Sequence, residues 1–152
     1  MTDAPARAAL CRELERRWHA EIPISAAMGI GVGDFDGETL TIRAALAPNV
    51  NVHGSGFAGS QFSLASLCGW GLLQLQLTLH HLQASILFVD GHIECRRPVR
   101  GDMLAHCRIT EEVTAAMADL ESRGKARCRL ATRVESEGEL AAEFVGTYGL
   151  KL

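Results

Sequence analysis

FAGSQFSLASLCGWGLLQLQLTLHH, residues 57–81, contains no Lys, Arg, Asp or Glu, and the uncharged stretch around it runs unbroken from Arg43 to Asp90. A run of this length first suggests a membrane span. Its polar content argues otherwise: Asn49, Asn51, Gln61, Gln74 and Gln76 fall within it, with several serines and many glycines, where a lipid-facing helix is more uniformly apolar. The reading that remains is a helix buried on nearly all sides within a soluble protein. Gly59, Gly69 and Gly71 lower its helix propensity, which predicts close approach of a neighbouring backbone.

Outward from this helix, the flanking segments read as strands. Residues 27–35 and 38–47 surround Asp36-Gly37, a strong hairpin signal. In the second, Leu40, Ile42, Ala44 and Leu46 alternate with Thr41, Arg43 and Ala45. After the helix come strand candidates at 84–97, 102–112, 124–136 and 139–151. The clearest alternates Ala126, Cys128, Leu130, Thr132 and Val134 with Lys125, Arg127, Arg129 and Arg133, the pattern of a strand with one wet face. Leu140, Ala142, Phe144 and Tyr148 share one face of the last, and Glu137-Gly138 suits a tight turn before it. Residues 4–21 form an amphipathic helix with Leu10, Leu14 and Trp18 on one side, limited by Pro23. An antiparallel sheet must cover its apolar face, and only the uncharged helix is apolar enough. The expected fold is α+β: a curved antiparallel sheet wrapped around one long buried central helix, the hot-dog architecture, as a single domain over 1–152 with its core in 22–152.

Composition narrows the function. The chain has 152 residues, 47% of them hydrophobic, and a net charge of −3. That is a folded domain with a sizeable core and no global basic field for nucleic acid. The five cysteines are scattered with no CxxC pair, which reads as reduced thiols in a cytoplasmic protein. The Met1 end is polar and soon charged, unlike a signal peptide. No Cys/His or carboxylate set shows metal-ligand spacing, so neither a metal nor another cofactor is expected.

The loop that delivers the chain to the helix, Asn49-Val-Asn51-Val-His53-Gly54-Ser-Gly-Phe57-Ala58-Gly59-Ser60, is polar and glycine-rich. The first N–H groups of a helix lack internal partners, and with the helix dipole they hold an anion or a developing oxyanion. Gly59 has no side chain to obstruct approach, and the Asn51 carboxamide both donates and accepts. The plainer alternative is that Asn51 and Ser60 cap the helix and order the loop.

Asn51-x-x-Gly54-x-x-Phe57-x-Gly59 resembles the N-x-x-G-x-x-H-G-G segment of the phenylacetate-pathway type of hot-dog thioesterases. Ile93-x-Cys95-x-x-Pro98-x-x-Gly101-Asp102-x-Leu104 resembles a strand motif of the same superfamily, one residue shorter. Phe57-Ala-Gly-Ser60 followed by Leu67-Cys-Gly-Trp70 is similar to the putative-thioesterase family that forms stand-alone proteins or sits behind an acetyltransferase domain, and that includes malonyl-acyl-carrier-protein decarboxylases. The resemblance spans roughly residues 20–150. It implies an acyl-CoA or acyl-carrier-protein thioesterase, with the substrate carrying its own coenzyme A or phosphopantetheine, and a homodimer or higher oligomer that involves neither nucleic acid nor membrane. The candidate catalytic residues are then Asn51, His53, Ala58, Gly59 and Ser60; the candidate substrate contacts are Asn49, Phe57, Ser66, Asp90 at the edge of the uncharged stretch, and the Arg96, Arg97 and Arg100 cluster, which is either solvated surface or a set of cations for the carrier's phosphates.

The sequence departs from that pattern where hydrolysis needs help. Phe57 stands where those thioesterases have histidine, and Ser66 where they place a carboxylate. Bringing water to a carbonyl takes a base or a nucleophile, and the helix offers no Asp or Glu. The remaining candidates are His53, His80, His81, His92 and Asp90, or a group from a dimer partner. Decarboxylation of a malonyl thioester requires only oxyanion donors and an apolar pocket. A third alternative is a non-catalytic acyl-binding module, because fold does not fix function.

Overall fold

A computed structural model describes residues 2–152; Met1 lies outside them. The chain runs α1 (Ala4–Glu21), α2 (Pro23–Ala27), β1 (Ile30–Phe35), β2 (Thr39–Ala44), a 3-10 turn (Ala47–Asn49), α3 (Ala58–Leu79), β3 (Ser85–Cys95), β4 (Met103–Arg108), α4 (Glu111–Arg123), β5 (Lys125–Ser136) and β6 (Glu139–Lys151). The six strands form one antiparallel sheet in the order β1-β2-β4-β5-β6-β3. The sheet curls around α3, which packs against β2, β3, β4, β5 and β6. This is the hot-dog fold that the alternation of the strands and the uncharged helix predict.

The strands form where the sequence alternates. On β5, Cys128, Leu130, Thr132 and Val134 are buried while Arg127, Arg129 and Arg133 are exposed. Asp36 closes the first hairpin, its carboxylate accepting the Glu38 and Thr39 N–H groups at 2.8 and 2.7 Å. Glu137 and Gly138, both at positive φ (53° and 76°), turn β5 into β6, as a tight hairpin with a right-handed strand twist requires.

Two helices stand where strand or no element was expected. Pro23 ends α1, yet α2 begins on it, because proline suits a helix's first turn; β1 therefore starts at Ile30 rather than at 27. The strand expected over 102–112 stops at Arg108 and is followed by α4. Its Val113, Ala116, Met117 and Leu120 are buried one turn apart, a helical period, and Gly124 ends it in the left-handed conformation that glycine adopts freely.

Helix α3 is long and apolar enough to cross a membrane, but the sheet buries more than half of it, and it is the core helix. Its glycines answer to side chains, not to a backbone: a methyl group at Gly69 would strike the Tyr148 hydroxyl, and one at Gly71 the Trp18 ring. One stripe stays only half-buried: Ser63, Ser66, Leu67, Trp70 and Gln74. It faces the seam where the curled sheet fails to close on itself.

Candidate active site at the start of the central helix

Phe57 precedes α3 in an extended conformation (φ −66°, ψ 129°), and no side chain caps the helix. The first intrahelical bond is from Gln61 N–H to the Phe57 carbonyl, 3.1 Å. The N–H groups of Ala58, Gly59 and Ser60 are thus the orphan donors of the first turn. That turn contains no acidic residue, so nothing in it neutralises the positive end of the dipole.

The loop before the helix is held by its own backbone. Val50 and Gly56 form an isolated bridge. The Asn51 N–H donates to the Ser55 carbonyl (2.7 Å), Gly56 N–H to the Val99 carbonyl (2.8 Å) and Phe57 N–H to the Asn49 carbonyl (2.7 Å). The Asn51 side chain turns into this loop: its Oδ1 accepts the His53 and Ser55 N–H groups at 2.8 and 3.2 Å, and its Nδ2 donates to Ser55 Oγ at 3.0 Å. Asn49 is 2% exposed and spends both amide hydrogens on the Met28 and Ala45 carbonyls at 2.7 Å each. It fastens the loop to the β1–β2 end of the sheet. His53 is exposed at the loop's tip.

Gln61 is a site residue that sequence reasoning passed over, since it counted only as polarity against a membrane span. It is 3% exposed; its Nε2 donates to the Gly56 carbonyl at 3.2 Å, and its Oε1 has no partner. A lone buried glutamine in the first turn of an apolar helix was the available signal. Phe57 is 52% exposed, with its ring against the α-carbon of Gly59, where a methyl group would collide with it. The space glycine leaves is filled by this neighbour's ring.

One turn beyond the free amides lies an apolar cavity of about 240 Å³. Ser63, Ser66, Leu67 and Trp70 form its α3 wall, Ile22, Ile24, Ser25 and Met28 the α2 side, and Ile30, Phe88 and Tyr148 the sheet side. Ile30 belongs to β1 and Phe88 to β3, the two ends of the strand order, so the cavity is the unclosed seam. Phe88 completes an aromatic cluster with Phe62, Phe144 and Tyr148 at centroid distances of 5.1 to 6.3 Å. The Tyr148 hydroxyl donates to the Ser66 carbonyl at 2.7 Å; burial pushes its pKa far up, so it stays a neutral donor.

Ala58, Gly59 and Ser60 form the first turn of α3 with Phe57 just before it, and Ser66 lies about two turns further on, in the cavity wall. The structure does not bring Asp90 there. Phe88 pairs with Tyr148, but a bulge follows and Asp90 pairs with Thr147; paired residues share a face, so Asp90 points away from the helix. His80 meets Glu121 at 3.3 Å and His92 meets Glu94 at 3.9 Å, both at the surface. Arg96 pairs with Glu143 (2.7 Å) and Arg97 with Glu139 (3.0 Å). Arg100 follows Val99, whose carbonyl holds Gly56, and is the member of this trio with no ion pair among the described residues. Among the described residues, no carboxylate or imidazole lines the cavity. Cys68 is fully buried in α3, and burial raises its thiol pKa well above the ordinary value, which leaves it unreactive.

A family model described as putative thioesterase (yiiD_Cterm) matches residues 11–151. The chain belongs to this family. Among solved structures, a Shewanella oneidensis protein with the same description is 32% identical over 95% of this chain and 98% of its own, with a TM-score of 0.83. A Chlorobaculum tepidum protein of unknown function is 26% identical over 95% and 96%, TM-score 0.90. A Pseudomonas aeruginosa protein described as a probable thioesterase is 25% identical over 92% and 94%, TM-score 0.80.

Proposed function

We propose that the protein hydrolyses acyl thioesters carried on coenzyme A or acyl carrier protein. The observation that carries this reading is the placement of three unpartnered amides at the start of α3, one turn from an apolar cavity in the seam. Attack on a thioester carbonyl moves negative charge onto its oxygen. Donors already aimed at that position stabilise the charge without reorganising, and one of them is worth about 2.7–4 kcal/mol. The cavity takes the acyl chain, and Arg100, on the loop bonded to Gly56, is the free cation for the carrier's phosphate.

The active form on this reading is a homodimer. The start of α3 lies at the surface of the single chain, Phe57 being half-exposed, and the seam is lined on one side by β3, a bare edge strand. A second subunit laid along β3 covers both and brings the base that the cavity's own walls lack.

That lack is also the observation favouring a second reading, malonyl-thioester decarboxylation. Breaking the bond to the carboxylate releases CO₂ and leaves its electron pair as an enolate on the thioester oxygen; proton uptake then gives the acetyl thioester. The amides stabilise the enolate, the apolar walls disfavour the bound carboxylate, and no base is required.

Thiol and CO₂ are measured separately while the protein is incubated with malonyl and straight-chain acyl thioesters. Thiol without CO₂ is the expected result, CO₂ without thiol selects decarboxylation, and binding with neither product means an acyl-binding module. Ala58→Pro then tests the amides. It removes one N–H where proline is tolerated, and Phe57 already has the extended backbone a following proline demands. Turnover is expected to fall roughly 100-fold with the melting temperature unchanged; wild-type turnover excludes that amide.

A further inference from the structure

The half-buried stripe of α3 carries two hollows in series. Ser63, Ser66, Leu67 and Trp70 line the apolar one of about 240 Å³. Gln74 and Thr78, on the same face by their spacing, line a polar one of about 590 Å³ together with Arg17 of α1. Trp70 stands between them and is gripped from both sides of the seam. Its indole N–H donates to the Ile86 carbonyl on β3 at 3.4 Å. The Arg17 guanidinium lies over its ring, 5.4 Å from the centroid, and is itself held by Glu21 at 2.8 Å. Glu21, Arg17, Trp70 and Ile86 thus form a strap across the seam at this point, on the side of the apolar hollow away from the helix start.

The geometry points to Trp70 as the residue that sets acyl-chain length, with Arg17 as the positioning residue that holds it; this rests on the acyl reading above. A chain whose carbonyl meets the amides of Ala58 and Gly59 runs down the stripe until it reaches the indole. Helix rise puts that floor about 16 Å beyond Gly59. At roughly 30 Å³ for each water-sized group, and with a methylene of similar bulk, the hollow itself takes about eight methylenes, and at about 1.25 Å per extended carbon the chain needs about four more to cross from the amides to it. A longer chain must displace the indole and strip water from the guanidinium behind it, which is costly. The substrate class is a medium-chain, uncharged acyl thioester.

The test is the binding of straight-chain saturated acyl-coenzyme A thioesters, from butyryl to palmitoyl, measured by calorimetry alongside thiol release. Affinity should climb roughly fourfold per added methylene and then level off near dodecanoyl. Trp70→Ala should move that break to longer chains. Leu67→Phe, one turn nearer the helix start, should move it to shorter ones, and reports even if the tryptophan variant does not fold. Arg17→Ala should move the break outward while Arg17→Lys, which keeps a cation over the ring, should leave it in place. A break that ignores both the Trp70 and the Leu67 substitutions overturns the floor alone. A wild-type protein that binds no acyl chain of any length overturns the acyl reading and the floor with it.

Discussion

At one edge of the sheet, the six residues of β1 run beneath α1. The Glu15 carboxylate of that helix accepts the Val32 N–H at 2.7 Å, and the His19 imidazole meets the Ile30 carbonyl at 2.7 Å. At the other edge, β3 runs eleven residues; α3 packs against it and the Trp70 indole meets the Ile86 carbonyl, yet Leu87, Phe88 and Val89 stay 65%, 42% and 45% exposed. Proteins normally shorten, bulge, charge or cover an edge strand, because its unpaired backbone recruits other strands. Both edges carry a bulge, β1 between Val32 and Asp34 and β3 at Val89, but β1 is also short, and the carboxylate of a covering helix occupies one of its N–H groups. On the dimer proposed above, the contrast has a use: the apolar edge left open is where a partner strand would pair, and that partner would also finish the seam in which the cavity lies.

The sharpest way to break that contrast is to charge the bare edge. Replacing Leu87 and Val89 together with lysine should leave the subunit folded, since neither side chain is part of the core. Subunit association should weaken by at least about 100-fold, the scale of losing an interface hot spot. Thioester turnover should fall with it, because a monomer leaves the helix start exposed. Light scattering on the variant at micromolar concentration reads the result. A variant that stays dimeric and active means the subunits associate through some other surface.

A smaller effect is expected at the sealed edge. Glu15→Ala removes the acceptor for Val32 N–H and should cost about 1–2 kcal/mol in denaturant unfolding, without changing the oligomeric state. A switch to higher oligomers would be just as informative: it would show that Glu15 blocks strand pairing at β1 in addition to stabilising α1.

How far the sequence reveals this can be followed residue by residue. The central helix is legible because 46 positions without a charge, from Ala44 to Val89, leave no other element able to fill the sheet. β5 is legible because its arginines alternate strictly. Helix α4 went unread although its pattern is present, with Glu111 and Glu112 in the first turn, Arg123 in the last and Gly124 after it; the neighbouring strand alternation drew the boundary at 112. The unpaired amides at the helix start follow from the loop chemistry, and Ser66 in the cavity wall draws notice only through the family resemblance. The cavity's other walls were not legible. Ile30 and Phe88 lie 58 positions apart in the sequence, and only the curl of the sheet brings them together. The outward aim of Asp90 depends on a bulge at Val89, one unpaired residue that no local pattern announces.

The thiols give the finest measure of the two edges, since one sits at each. Cys95, at the end of β3, is exposed, while Cys11 lies within α1 against β1 and is buried. Burial foremost, and the Asp34 carboxylate after it, push the Cys11 pKa up, so little thiolate forms near neutral pH. Thiolate, not thiol, is what an alkylating agent attacks. Cys95 should therefore label first in the native protein, with Cys11, Cys68, Cys107 and Cys128 protected until unfolding, as peptide mass analysis of a timed iodoacetamide reaction would show. Glu15→Ala loosens α1 by about 1 kcal/mol, which should accelerate Cys11 roughly fivefold and leave Cys95 unchanged. Equal rates at Cys11 and Cys95 in the unmodified protein would mean that α1 lifts from β1 freely, and then the difference between the two edges would be one of composition alone and not of closure.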